Sequence, residues 1–444
     1  MAKKHIWCLL LAILLPILLF SQRKFNIVGE KNTETVRFKL LNNLIILPVK
    51  VNGVELSFIL DSGVNKPILF NLTESDSLEV KNIEEIFLKG LGDGDPIKAF
   101  RSRGNLVSIE KAISVDQDIF IVLDQNINFS PRVGFPVHGI IGYDIFRDFI
   151  VEINYGNKAL KLHNPETYKY KACDKCETLP IEVSQSKAFL TVDVEVEENK
   201  IVKAKLLIDT GSSDALWLFE NEEKQLRIPD KNFEDFLGRG LSGSIFGART
   251  RVSSLKLGQF ELNDAKAAFP DSLSIVHLKN FKNRDGSIGA EVLKRFNIIF
   301  DYPQSKMTLS KNGNFKAPFK YNMSGVEVQH NGMRLVREFE GSFGNIFKDP
   351  NDTSGAIQIF TNKFKMQLYP LFEIAEIRPK SPAELAGLRR GDILISVNKK
   401  PTYRYSLQEV TEYLNEADGE LVRLVVERDG KELIFSFELK DPLK

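Results

Sequence analysis

The sequence has little of several things that would settle its chemistry quickly. Of 444 residues only three are Cys and five are His, and no H-E-x-x-H string occurs. Three cysteines cannot staple a small scaffold, and so few histidines without that spacing give zinc hydrolysis no ligand set. No G-x-S-x-G string occurs, so a serine hydrolase would lack its nucleophile elbow. Excess charge is missing too: 60 Lys and Arg against 59 Asp and Glu leave +1. A dominant nucleic-acid or polybasic membrane role needs a concentrated positive field, and the balance excludes it. Long apolar runs are absent with one exception, Ile6–Phe20, which follows Lys3 and Lys4 and precedes Ser21-Gln22. That run is short of the ~20 residues a spanning helix needs, and Pro16 interrupts it. It reads as a secretory signal over residues 1–21, giving an exported protein, periplasmic or extracellular. The membrane would be a partner only through this segment, if it is retained.

Enough apolar residues remain, 43% with 32 Phe, to build real cores, and the length suggests about three domains. An internal repeat organises the first two. Phe58–Gly63 aligns with Leu207–Gly211, placing Asp61 on Asp209. Gly90-Leu91-Gly92 aligns with Gly238-Arg239-Gly240, and Gly139–Gly142 with Gly286–Gly289. Phe146–Phe149 aligns with Leu293–Phe296, and Asn154-Tyr155 with Asp301-Tyr302. Five anchors hold one register, at a shift of 147–148 residues, which chance does not supply. The stretches between them are β-branched and apolar, with hairpin signals at Asn52-Gly53 and Gly156-Asn157. Short helices are expected at Tyr143–Arg147 and Glu291–Arg295. Cys173-x-x-Cys176 lies in a charged connector and reads as a small disulfide or two free thiols rather than a redox or zinc motif.

Each repeat ends an apolar strand on Asp, then a small hydroxyl residue, then Gly: Asp61-Ser62-Gly63 and Asp209-Thr210-Gly211. The strand fixes the acid, the hydroxyl can tie the two loops together, and Gly lets backbone approach the carboxylate. One such triplet is usually a turn; two at equivalent repeat positions bring two carboxylates face to face. Residues 40–315 resemble the aspartic peptidases of the pepsin and retropepsin type. The string Asp209–Trp217 is similar to their active loop, and Ile140-Ile141-Gly142 and Ser287-Ile288-Gly289 resemble their downstream hydrophobic-Gly element. The resemblance implies a mainly β, bilobal fold, with lobes at 22–170 and 171–317. It implies Asp61 and Asp209 as catalytic residues sharing a proton, and Ser62, Gly63, Thr210, Gly211 and Ser212 as loop support. Gly90, Gly92, Gly238 and Gly240 would lie in substrate-covering flaps, and the substrate would be a peptide or protein. No cofactor or metal is implied. The string Gly238–Gly243 also matches G-x-G-x-x-G, but no βαβ unit follows, so it is not a nucleotide loop. Lobe 1 departs from the family after Gly63, where Lys66 lies close enough in sequence to perturb Asp61, and no flap tyrosine is evident near Gly90. A degenerate repeat that binds peptide without cutting it is the alternative.

From about Phe319 the repeat ends. The string Glu376–Asn398, with Ser381-Pro382-Ala383, Gly387 and Gly391-Asp392, resembles a PDZ domain, an α+β unit over 318–444. Ser406–Glu409 is a capping box opening a second helix, and Asp429-Gly430 turns a final hairpin. The resemblance implies that a peptide adds as a strand along Val326–Gln329. Met323, Ser324, Gly325 and Val326 would hold its terminal carboxylate, with Val328 on the pairing strand. Residues 341–365, rich in Gly, Asn, Asp and Ser, read as an inserted loop.

Overall fold

The computed structural model describes residues 24–73, 77–92, 94–124, 126–275, 284–347, 357–415 and 417–444, with backbone alone at 342–347 and 357–361. The expected signal segment lies outside the described residues. Among these residues no helix is long and apolar enough to cross a membrane. The chain forms two compact units, one ending at Tyr321 and rejoined by Pro442–Lys444, the other Asn322–Asp441.

In the first unit the sequence repeat is a repeat of topology. Strands Leu44–Val51 and Val54–Leu60 form a hairpin whose turn, Asn52 at φ 48° and Gly53 at φ 91°, has the left-handed backbone that tight hairpins require. The short strand Gly139–Ile141 runs parallel to Val54–Leu60 and antiparallel to Ile68–Leu69. In the second half Gly286–Gly289 runs parallel to Lys200–Asp209 and antiparallel to Leu216–Leu218. Each half then adds one short helix, Tyr143–Asp148 or Ala290–Leu293, close to the expected spans. Each closes with a hairpin, Ile150–Asn154 with Ala159–His163, or Phe296–Asp301 with Lys306–Lys311.

A six-stranded sheet joins the halves. Its central pair is Ile150–Asn154 against Phe296–Asp301, in register Val151↔Phe300 and Ile153↔Ile298. Both strands alternate buried apolar with less buried residues, as a sheet covered on one face must. One continuous apolar cluster runs through both halves. Phe146 of the first half packs on Phe300 and Tyr302 of the second, at ring centroid distances of 5.3 and 5.2 Å. The two acid-bearing strands are thus anchored to one core. Cys173 and Cys176 form a disulfide in the connector ahead of the strand Cys176–Pro180.

The second unit is an antiparallel sheet with two short helices. Ser381 caps Pro382–Leu385, accepting the Glu384 N–H, and Ser406 with Glu409 forms the expected capping box of Leu407–Tyr413. Val326, Val328, Leu394, Leu407, Val410 and Leu424 meet in its core. The reading of 341–365 as a loop is corrected here. Strands Val326–Phe347 and Ile357–Ile377 pair along their whole length as one long hairpin, and residues 348–356 lie outside the described residues. Bulges at His330/Met333 and Phe339/Gly341 absorb the residues that do not fit the ladder, with Gly332 at φ 76°. Composition pointed to a loop because glycine and polar residues at bulges look like turn residues.

Candidate active site

Asp61 follows the strand Val54–Leu60 and Asp209 ends the strand Lys200–Asp209. The strand of the downstream glycine element fixes the first loop: the Asp61 N–H donates to the Ile141 carbonyl at 2.8 Å. Gly142 is required there, since a Cβ on it would lie 1.7 Å from the Asp61 carbonyl oxygen. Gly289 plays the same part in the second half, where a Cβ would lie 2.3 Å from the Asp214 carbonyl oxygen.

The two loops are tied by their hydroxyls. Ser62 Oγ donates to the Ile208 carbonyl (2.6 Å) and accepts the Thr210 N–H (3.1 Å). Thr210 Oγ1 donates to the Leu60 carbonyl (2.8 Å) and accepts the Ser62 N–H (2.9 Å). Both residues are fully buried. Four reciprocal bonds with no water competing fix the spacing of the loops, and with it the spacing of the acids.

Gly63 donates its N–H to Asp61 Oδ1 at 2.7 Å, and Gly211 donates to Asp209 Oδ1 at 3.1 Å. The two carboxyl groups lie against one another: a Cβ on Gly63 would stand 3.1 Å from Asp61 Oδ1 and 3.6 Å from Asp209 Oδ1. A Cβ on Gly211 would stand 2.3 Å from Asp61 Cγ, so the opposing carboxyl occupies the space any side chain would need. Burial, then the neighbouring Asp209 charge, push Asp61 up to about 7. Burial also raises Asp209, but Arg284, the Gly211 and Ser212 N–H groups and Lys187 pull against it. Both acids are thus raised, and the pair holds a shared proton at mildly acidic pH.

Lys187 and Arg284 were not foreseen. The hairpin register pairs Phe189 with Leu207, and continuing it puts Lys187 opposite Asp209. Counting back from the hairpin tip at Glu195–Lys200 would have found it. Burial lowers both cations, Arg284 to about 10. Lys66, which could have perturbed Asp61 or stood solvated at the surface, reaches the buried Asp144 at 3.3 Å. Its counterpart Asp214 pairs with Arg249 (2.9 Å) and accepts Trp217 Nε1–H (2.8 Å).

The glycine strings lie at the tips of two long hairpins. One is Ile83–Leu88 with Ile97–Ile109, the other Phe233–Gly240 with Gly243–Leu257. The tips touch: the Gly90 N–H donates to Ser242 Oγ (3.0 Å), the Gly94 N–H to the Ser242 carbonyl (2.6 Å), and the Ser242 N–H to the Leu91 carbonyl (2.9 Å). A Cβ on Gly92 would stand 2.5 Å from the Ser242 carbonyl carbon, and one on Gly240 2.2 Å from the Leu91 oxygen. Gly238, at φ 150°, sits at a bulge opposite Ile245, where an added Cβ would point into open space. Each tip leucine crosses over. Leu91 packs with Trp217 and Ile245 of the second half, and Leu241 packs with the first-half cluster that holds Val64. The string Gly238–Gly243 is a hairpin turn, not the strand-to-helix turn a nucleotide loop needs.

In the second unit Met323, Ser324, Gly325, Val326 and Val328 are all buried. The Met323 N–H donates to Asn415 Oδ1 (3.0 Å), the Gly325 N–H to Asn322 Oδ1 (2.9 Å) and the Val326 N–H to Ser324 Oγ (3.1 Å). Gly325, at φ 78°, is pressed on Ser381.

Comparison with known proteins agrees with the two units. Residues 192–292 match the family model described as aspartyl protease, and residues 373–428 match the PDZ domain model. The first match includes Asp209 and Gly286–Gly289; Asp61 lies outside it. A stretch of 68 residues, 15% of the chain, is 34% identical to the serine endoprotease DegS of Salmonella typhimurium. The chain spans 19% of that relative's length. The chain is thus a mainly β protein with a protease-like domain and a PDZ domain.

Proposed function

We propose that the chain is an exported aspartic endopeptidase whose PDZ domain recruits protein substrate. One observation carries the reading: two carboxyl groups, at equivalent points of a duplicated unit, lie against one another, each beside the other half's loop glycine. In this mechanism Asp209 takes a proton from a water held between the pair, and the water attacks the peptide carbonyl. Asp61 gives its proton to the developing oxyanion, and a proton then passes to the leaving amine. The touching hairpin tips act as flaps that must part to admit substrate and then close over it.

The likeness to DegS favours a second reading, a serine peptidase. That reading needs a histidine beside a nucleophilic hydroxyl. His163 does bridge Thr33 Oγ1 (2.9 Å) and Glu152 Oε2 (3.1 Å), but the three lie on adjacent strands of the joining sheet, far in sequence from either Asp.

Purified wild type, Asp61→Asn and Asp209→Asn protein, assayed on an unstructured protein between about pH 4 and 7, decides between these. Cleavage by wild type alone supports the aspartic mechanism. Equal cleavage by the variants, with labelling by a fluorophosphonate probe, would install the serine reading. No cleavage by any of them would leave a peptide-binding scaffold.

A further inference from the structure

The loop ahead of the strand Val326–Phe347 is poorly suited to a chain end. Three of its N–H groups already have acceptors inside the unit, supplied by Asn415, Asn322 and Ser324. An incoming carboxylate would have to displace neutral oxygens already in place, so the usual gain from charge-assisted bonds is offset.

The strand itself offers something else. It is the terminal strand of its sheet, so one edge carries no partner strand among the described residues. Its partner Ile357–Ile377 meets the next strand only at Phe372 and Glu373, so beyond that point the pair is a two-stranded ribbon. The register Leu335↔Leu368, Arg337↔Met366 and Phe339↔Phe364 puts these residues on one face. Leu335, Phe339, Met366 and Leu368 are 55–60% exposed there, and Met333 is 55% exposed beside them. The other face is occupied by polar contacts: Arg334 to Glu427 (3.2 Å), and Glu338 to Tyr369 Oη (2.9 Å) and Arg404 (3.5 Å). A contiguous apolar stripe of this kind on one face only marks an interaction site.

At the root of the ribbon, on the polar face, lies a cavity of about 220 Å³ lined by Arg334, Val336, Leu371, Leu394, Thr402 and Tyr403, among others. A second copy of the chain is a weaker fit. Six half-exposed side chains offer about 600 Å² per copy, about 1,200 Å² in a pair, the floor for a specific interface. Such a pair would also carry both Arg337 guanidiniums, each now lying 3.5 Å over the Phe364 ring, into the contact. An added strand has the free backbone edge to pair with as well.

We infer that the ribbon is the docking surface for an extended, internal segment of non-native polypeptide, one that adds as a strand along the outer edge of Val326–Phe347. Its apolar side chains, at alternate positions, lie on the stripe, and no chain end is needed. The inference rests on the proposal that the PDZ domain recruits substrate, and it names the substrate class.

The test uses the full chain and a fluorescein-labelled twelve-residue peptide alternating Leu or Phe with Ser or Lys, made with a free and with an amidated C-terminus. Binding is read by anisotropy on Asp209→Asn protein, with and without Leu335→Ser plus Phe339→Ser. A second pair, Met366→Ser plus Leu368→Ser on the partner strand, guards against a local folding defect. Cleavage of a short quenched peptide is read on protein with Asp209 intact, so the peptidase proposal and the docking proposal can fail separately. The expected result is equal binding of acid and amide within about twofold, at least a tenfold loss in both stripe variants, and unchanged short-peptide cleavage. Tenfold tighter binding of the free acid, or unchanged binding in the stripe variants, would overturn the inference. So would a wild-type dimer in sedimentation that the stripe variants dissolve, since a second copy would then be the occupant.

Discussion

Replacing Asp61 with Asn should make the protein more stable while abolishing its activity, and only above mildly acidic pH. Asn is nearly isosteric with the neutral acid. Its oxygen can still accept the Gly63 N–H, and its NH₂ is a donor beside the Asp209 carboxylate. Burial and Asp209 hold Asp61 at about 7, against an ordinary 3.8. Because folding favours the neutral form, the wild type loses stability as pH climbs from the ordinary value to about 7. Asn never ionises and escapes that loss. The gap corresponds to a ceiling of about 4 kcal/mol at pH 8, and some relief by local rearrangement brings the expected gain to about 2–4 kcal/mol. At pH 4 the gain should vanish. Urea unfolding followed by the fluorescence of Trp217, buried in the same unit, reads this directly. A variant no more stable than wild type at pH 8, or equally stabilised at both pH values, would refute the buried shared proton.

Three further outcomes follow from the same geometry. Gly211→Ala should abolish cleavage with circular dichroism retained, because the new Cβ meets the Asp61 carboxyl at 2.3 Å; a variant with half the wild-type kcat would contradict this. Thr210→Val keeps the shape but strands the buried Ser62 N–H and Leu60 carbonyl, so thermal melting should show a loss of about 2–4 kcal/mol with a fall in kcat. Lys187→Gln removes a positive charge that lowers both acids, so the alkaline limb of kcat/KM against pH should move up. No movement, or a downward one, would show that Lys187 faces elsewhere.

Much of the first unit was legible because its features are forced. A carboxylate approached by backbone needs Gly63 and Gly211, a loop passing over a carbonyl needs Gly142 and Gly289, and touching hairpin tips need Gly92 and Gly240. Glycines held by steric exclusion repeat at fixed spacing, which is why five anchors kept register. Lys187 and Arg284 were missed because a lone cation carries no local pattern. Arg284 comes from 75 residues beyond Asp209, and only the strand beside Gly286 brings it near. The ribbon was missed for the opposite reason. Its bulges admit Gly332 and Gly341, and those interrupt the alternation that would have announced two long strands. The carboxylate loop shows a third limit: sequence places Met323–Val326 at the right point of the unit, but whether its N–H groups are free depends on Asn415, 89 residues downstream of Val326.

The sheet that joins the two halves has a kinetic and evolutionary corollary. Both acids reside on one covalent chain, braced by the pairing of Ile150–Asn154 with Phe296–Asp301. A site built from two separate chains would come apart on dilution by mass action; this one cannot, and its specific activity should stay flat down to the lowest assayable concentration. Covalent linkage also frees the halves to diverge, so that one holds Lys66 where the other holds Asp214.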